Sequence, residues 1–125
     1  MIVVVMIVQF MLGVFFTPEG VVKWTHIGPS TARFVHFRYP RWFKYFTGIW
    51  EVLVGIGFLI GLWVPLLAAL AAVLLGVEML AAIYSHLVRG KDALSAILPA
   101  VVFFLLAGAV LVVRWESLGQ VLSHI

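Results

Sequence analysis

Four long apolar stretches dominate the chain, each close to the ~20 residues that an α-helix needs to cross ~30 Å of hydrocarbon at ~1.5 Å per residue. The first runs from Met1 to about Val22, interrupted by Gln9 and by Pro18-Glu19. The second, Trp42 to Gly61, carries Glu51; the third, Pro65 to Leu87, carries Glu78; the fourth, Ala93 to Val113, has no charge. Apolar–polar alternation of period two is absent, and backbone polar groups in lipid must pair within their own segment, so all four are predicted to be helices. Gly61–Pro65 and Val88–Asp92 are short enough to be tight turns, whereas Lys23–Arg41 is a long connection. The pattern therefore predicts an all-α membrane protein, a single antiparallel four-transmembrane-helix bundle spanning residues 1–125. Beyond the fourth span, Trp115, Leu118, Leu122 and Ile125 recur at helical spacing, which predicts a short interfacial helix over 115–125. The first stretch has no basic leader and no small-residue cleavage site, and its apolar run is too long for a signal peptide, so it is read as a retained span.

Composition supports this reading. Hydrophobic residues make up 65% of the chain and charged ones 10%, with a mean hydropathy of +1.21; a soluble domain carries about 25% charged residues. Lipid bilayer is thus the expected surrounding. The absence of cysteine excludes disulfides, thiolate metal sites and iron–sulfur clusters on this chain. Basic residues adjoin the spans and build no separate polar face, so nucleic acid is not implied.

The placement of charge fixes an expected orientation. Lys23, Arg33, Arg38, Arg41, Lys44, Arg89 and Lys91 lie at one end of the spans, and only Arg114 at the other. That asymmetry predicts a cytoplasmic 23–41 loop with both termini outside, most naturally in a bacterial inner membrane. Trp24, Trp42, Trp63 and Trp115 fall at predicted helix ends, where indole favours the headgroup layer. Cysteines introduced at Ser30 and Ser123 test the orientation on intact cells with an impermeant thiol reagent. Ser123 should label and Ser30 should not; the reverse overturns the topology.

Few residues could carry chemistry. Glu51 and Glu78 each lie about nine residues from the same end of adjacent antiparallel spans, which puts both roughly 14 Å deep. A charge there costs at least ~2.5–3.5 kcal/mol on insertion scales, so both should face the bundle interior. Two carboxyls at one level would repel if both were ionised, so one is expected to hold or share a proton. Gly48 and Gly55 flank Glu51, and Gly57 and Gly61 form a small-xxx-small pair, which predicts close helix approach on the glutamate face. Gln9 is also deep and joins the candidate ligand-binding set, with Trp50 and Lys23. The alternative for the carboxyls and Gln9 is hydrogen bonding between helices and nothing more. His86, just inside the rim, could relay protons or bind an anionic group, or simply be an interfacial hydrogen-bonding residue. His26, His36 and His124 show no metal-ligand spacing with it, and no facing helix offers a second haem ligand, so no metal is expected. The 23–41 loop interleaves basic and aromatic residues. Ser30 could cap a short helix through Phe37 that lies on the membrane or closes over a pocket between helices.

Several motifs occur in order. Gly20-Val-Val-Lys23 ends the first span; Pro40-Arg-Trp42 through Thr47-Gly48-Ile-Trp50-Glu51 opens the second; Met79-Leu-Ala81 through His86 closes the third. This ordered set resembles the DoxX-like family of four-helix membrane proteins over nearly the whole chain. The family's polar positions fall on Lys23, Gly48, Glu51, Met79 and His86, and Glu78 departs from its pattern, where an apolar residue is expected. The family is named for a subunit linked to thiosulfate:quinone oxidoreductase. The resemblance therefore implies an accessory subunit of a quinone-linked membrane oxidoreductase, with a bound quinone and partner membrane subunits or a second copy of the chain. More distant relatives look like assembly factors, which leaves a membrane scaffold or chaperone as the alternative, alongside a pocket for another lipophilic molecule.

Overall fold

The computed structural model describes residues 2–25 and 30–123, with residues 30–31 and 116–123 described by backbone alone. His26, His124, the Ser30 cap and the tail side chains at Leu118, Leu122 and Ile125 lie outside what is described. Among the described residues five α-helices form: α1 (Ile2–Val22), α2 (Ser30–His36), α3 (Arg41–Ile60), α4 (Pro65–Tyr84) and α5 (Leu98–Ser123). Four helical stretches are long and apolar enough to span a membrane: Ile2–Val22, Arg41–Ile60, Pro65–Arg89 and Leu94–Trp115.

Prolines mark where the spans begin. Pro40, with φ −67° and ψ 157°, holds extended backbone ahead of α3, and Pro65 opens α4 where a missing N–H costs nothing. At the other end of α3 the Gly61 N–H returns to the Gly57 carbonyl, and the chain reverses into α4 within four residues. The spans pack as a closed antiparallel ring, α1 against α3, α3 against α4, α4 against α5 and α5 back against α1. The core is threaded by Leu12, Phe16, Val54, Phe58, Leu75 and Val110. Trp42, Trp63 and Trp115 stand exposed near the ends of the candidate spans.

Two boundaries differ from expectation. The third span leaves α-geometry at Tyr84 and finishes in a π-helical turn, Ser85–Arg89, and a 3₁₀ turn, Leu94–Ala96, precedes α5. The expected interfacial helix does not separate: α5 runs unbroken through Arg114 and Trp115 to Ser123, because no glycine or proline interrupts 111–117.

The glycines of α3 divide between two neighbouring helices. A Cβ on Gly20 would meet the Gly48 carbonyl, one on Gly48 would lie 2.7 Å from the Gly20 carbonyl, and Gly55 sits against Thr17. Gly48 and Gly55 therefore seat α3 on α1, while Gly57 and Gly61 meet Ala71 and Ala68 of α4. Glu51 lies between the two seams, so it can face α1 and α4 together.

Candidate functional site

The end of the ring that carries the long connection holds a cavity of about 580 Å³, within the ~300–1,000 Å³ typical of small-molecule sites. Its floor is polar and deep. Lys23, the first residue beyond α1, turns back into the bundle and places Nζ 2.6 Å from Glu51 Oε1 and 3.8 Å from Glu19. Lys23 and Glu51 are 6% and 3% exposed, so this is a buried ion pair. Glu78, from α4, lines the same cavity beside Glu51. Oε1 of Glu78 is buried and has no hydrogen-bond partner among the described residues.

The walls are aromatic. Phe16, Phe43, Phe46, Trp50 and Phe103 line the cavity from α1, α3 and α5. The Trp50 indole is fixed by its N–H, which donates to the Leu74 carbonyl at 2.9 Å. Across the α1–α5 seam, Phe103 stacks on Phe15 at 5.3 Å and meets Phe16 edge-on at 5.2 Å.

The lid is α2 and the residues after it, with Arg33, Phe34, Phe37 and Tyr39 facing the cavity. These residues make the segment a wall of the cavity. It is tied to the π-helical turn by several bonds. The Ser85 hydroxyl spends its hydrogen on the Ala81 carbonyl at 2.8 Å, so Tyr39 must be the donor in the 2.6 Å Tyr39–Ser85 bond. Arg89 donates to the Phe37 and Arg38 carbonyls at 2.7 and 2.8 Å and lies 4.4 Å from the Tyr39 ring centroid. These bonds hold Arg38 at φ 62°, a left-handed conformation that a non-glycine residue adopts only when its surroundings insist. π-turns recur at functional sites, and this one aims Ser85 and His86 at the cavity.

Asp92 joins lid and turn. Its carboxylate takes His86 Nδ1 at 2.7 Å and His36 Nε2 at 2.9 Å. The hydrogen bonds from His86 first, then His36, hold the Asp92 carboxyl below its ordinary value of 3.8. A carboxyl lowered in the folded state adds stability above its unfolded pKa and loses it as pH falls through the folded value. Asp92→Asn should therefore speed hydrogen exchange of the amides in 33–39 at neutral pH, and the difference from wild type should vanish in strong acid. Equal exchange at neutral pH would show that Asp92 does not hold the lid.

Of the six residues singled out from sequence, Lys23, Trp50, Glu51, Glu78 and His86 line this cavity and Gln9 does not. Gln9 is fully buried at the opposite end of the ring. There its Nε2 donates to the Phe58 carbonyl at 3.3 Å and its Oε1 accepts from Arg114 Nε at 2.6 Å. Arg114, counted from sequence as a rim charge, is 5% exposed. Lys44 is likewise tucked in, donating to the Thr25 carbonyl at 2.9 Å. Asp92, Tyr39 and Ser85 were not singled out. The signal that could have found Asp92 is its place six residues beyond His86, across the turn.

A ring of four apolar helices around a paired lysine and two carboxyls at membrane depth defines an integral membrane protein with an internal polar site. The chain belongs to the DoxX-like family, whose model matches residues 7–110. The uncharacterized protein YdgD of Bacillus subtilis (strain 168) is 30% identical over 91 residues, covering 73% of this chain and 80% of that protein. No solved structure matches the chain.

Proposed function

We propose that the protein binds a quinone-class molecule in this cavity, as an accessory subunit of a quinone-linked membrane oxidoreductase. The observation that carries the reading is an aromatic-walled cavity whose deep floor is Lys23, Glu51 and Glu78. Flat ring faces meet Trp50 and the phenylalanines, while ring oxygens find polar partners at the floor and at His86. Polar groups at that depth are costly and face an interior that uses them. A quinone, when bound, supplies two-electron, two-proton carrier chemistry. The chain's own residues orient the ring, keep water out beneath the α2 lid and hold a proton at Glu78.

The chain has no cysteine, so any thiol redox chemistry in the complex belongs to a partner. Exposed apolar residues of α1 and α5, such as Met11 and Leu105, face lipid and leave area for a partner subunit or a second copy. The basic residues around the lid support a cytoplasmic placement of that end in a bacterial inner membrane.

Native mass spectrometry from mild detergent, with the absorption spectrum of the co-purified lipid, tests the reading. A retained quinone near one per chain is expected, and its loss in Trp50→Ala and Glu51→Gln would locate it. A protein that retains no small molecule but holds other membrane proteins would favour the scaffold role instead.

A further inference from the structure

The ring of spans is not equally firm all round. Between α1 and α3 the backbones touch at Gly20 and Gly48 and again where Gly55 meets Thr17, and Lys23 adds its ion pair to Glu51. Between α3 and α4, Gly57 and Gly61 pack on Ala71 and Ala68, and the Trp50 N–H is bonded to the Leu74 carbonyl. α4 and α5 are in extensive contact. The lid is tied down through Tyr39, Arg89 and Asp92. The α1–α5 seam differs. The hydrogen bond that closes it, Gln9 to Arg114, lies at the end far from the cavity. At the level of the cavity no hydrogen bond or ion pair crosses the seam among the described residues. The contact there is aromatic, with Phe103 stacked on Phe15 at 5.3 Å and edge-on to Phe16 at 5.2 Å.

These rings stand on the border between cavity and lipid. Phe15 and Phe103 both line the cavity. Phe15 is 45% exposed and lies one helical turn from Met11, on the same outward face. The other residues that line the cavity on the α5 side, Ala100, Pro99 and Ala96, are all small, so the ring stack is what fills the seam there. A ring pair parts by side-chain rotation, with no backbone to move and no hydrogen bond to break.

We propose that the α1–α5 seam is a lateral doorway between bilayer and cavity, with Phe15 and Phe103 as its gate. An uncharged, lipid-dissolved aromatic molecule parts the rings and slides in flat against them. The lid stays latched meanwhile, so the polar floor does not open to water as the ligand comes and goes. The inference goes beyond the quinone-class reading to the route of entry, and it holds for any lipid-soluble ring.

With no native cysteine in the chain, Ala100→Cys places a single thiol on the cavity side of the gate. The full-length variant in lipid nanodiscs would be treated with pyrenyl maleimide, a flat uncharged ring that partitions into lipid, or with a charged maleimide confined to water. The pyrene reagent should label faster. Adding Phe15→Ala, a change at an exposed ring, should speed pyrene labelling about tenfold, the scale of one lost aromatic pair. Phe103→Ala should act the same way from the other side of the seam. Phe46→Ala, at an exposed cavity ring of α3, and Asp92→Asn, which loosens the lid, should leave the pyrene rate unchanged. Three results would overturn the doorway: no gain from Phe15→Ala, an equal or larger gain from Phe46→Ala or Asp92→Asn, or faster labelling by the charged reagent. Absence of labelling in every variant would overturn it too. Quinone retention is read separately by mass spectrometry, so the doorway and the quinone-class reading fail independently.

Discussion

Lys23→Met should lower the unfolding free energy by about 3–5 kcal/mol, the usual cost of stripping one partner from a buried ion pair. Glu51 would keep its place between α1 and α4 with nothing to balance its charge except a second carboxyl. The expected readout is a large fall in thermal midpoint in detergent, or loss of folded protein on expression. Glu51→Leu alone should be nearly as harmful, since it strands the lysine. The double variant Lys23→Met, Glu51→Leu should recover much of the loss, because a well-packed apolar pair often matches a buried ion pair in stability. The double variant should nonetheless bind no quinone-class ligand. Retention of full stability by Lys23→Met would mean that water reaches this pair freely. The pairing also refines what Glu51→Gln reports: it weakens the lysine contact as well as removing a carboxylate, so stability and binding must be read together.

Gly20→Ala should be strongly damaging for a single added methyl. The added carbon would press on the Gly48 carbonyl and the Val52 backbone nitrogen, which belong to the backbone of α3 and cannot swing aside. Overpacking of this kind costs about 1–3 kcal/mol and at times more. Here it also pries α1 from α3 one turn before Lys23, loosening the ion pair. Gly108→Ala is the internal control, since a methyl there meets nothing within 4 Å. Comparable unfolding midpoints for the two variants would show that α1 and α3 are not in close contact.

The spans were legible because bilayer physics leaves little choice: twenty apolar residues in a row must become a helix, and short turns must pair neighbours. The equal depth of Glu51 and Glu78 was likewise legible, by counting residues from one rim. Lys23 was harder. At the end of a span a lysine looks like any interfacial charge, and only the packing of Gly20 on Gly48 reveals that it turns inward onto Glu51. Arg114 misled in the same way, because burial at a rim depends on what the facing helix offers, and Gln9 is over a hundred residues away in sequence. The lid was half legible, as a short basic-aromatic helix. Its anchoring through Asp92, Ser85 and a π-turn was not, since no periodicity marks a change from α to π geometry.

The bond between Gln9 and Arg114 joins the first and last spans across 105 residues of sequence. Synthesis delivers these helices at opposite ends of its course. α1 meets α3 early, so the glycine seam and the Lys23–Glu51 pair can form while the later spans are still being made. Gln9 then waits in the lipid with its amide oxygen unmet until α5 arrives and closes the ring. Assembly thus has a natural order: the cavity floor is laid first, its far side is sealed last, and Arg114 is the fastener of the final step. A ribosome stalled before α5 would hold a three-helix intermediate open along its α1 flank, the state most exposed to quality-control proteases and to capture by a foreign helix.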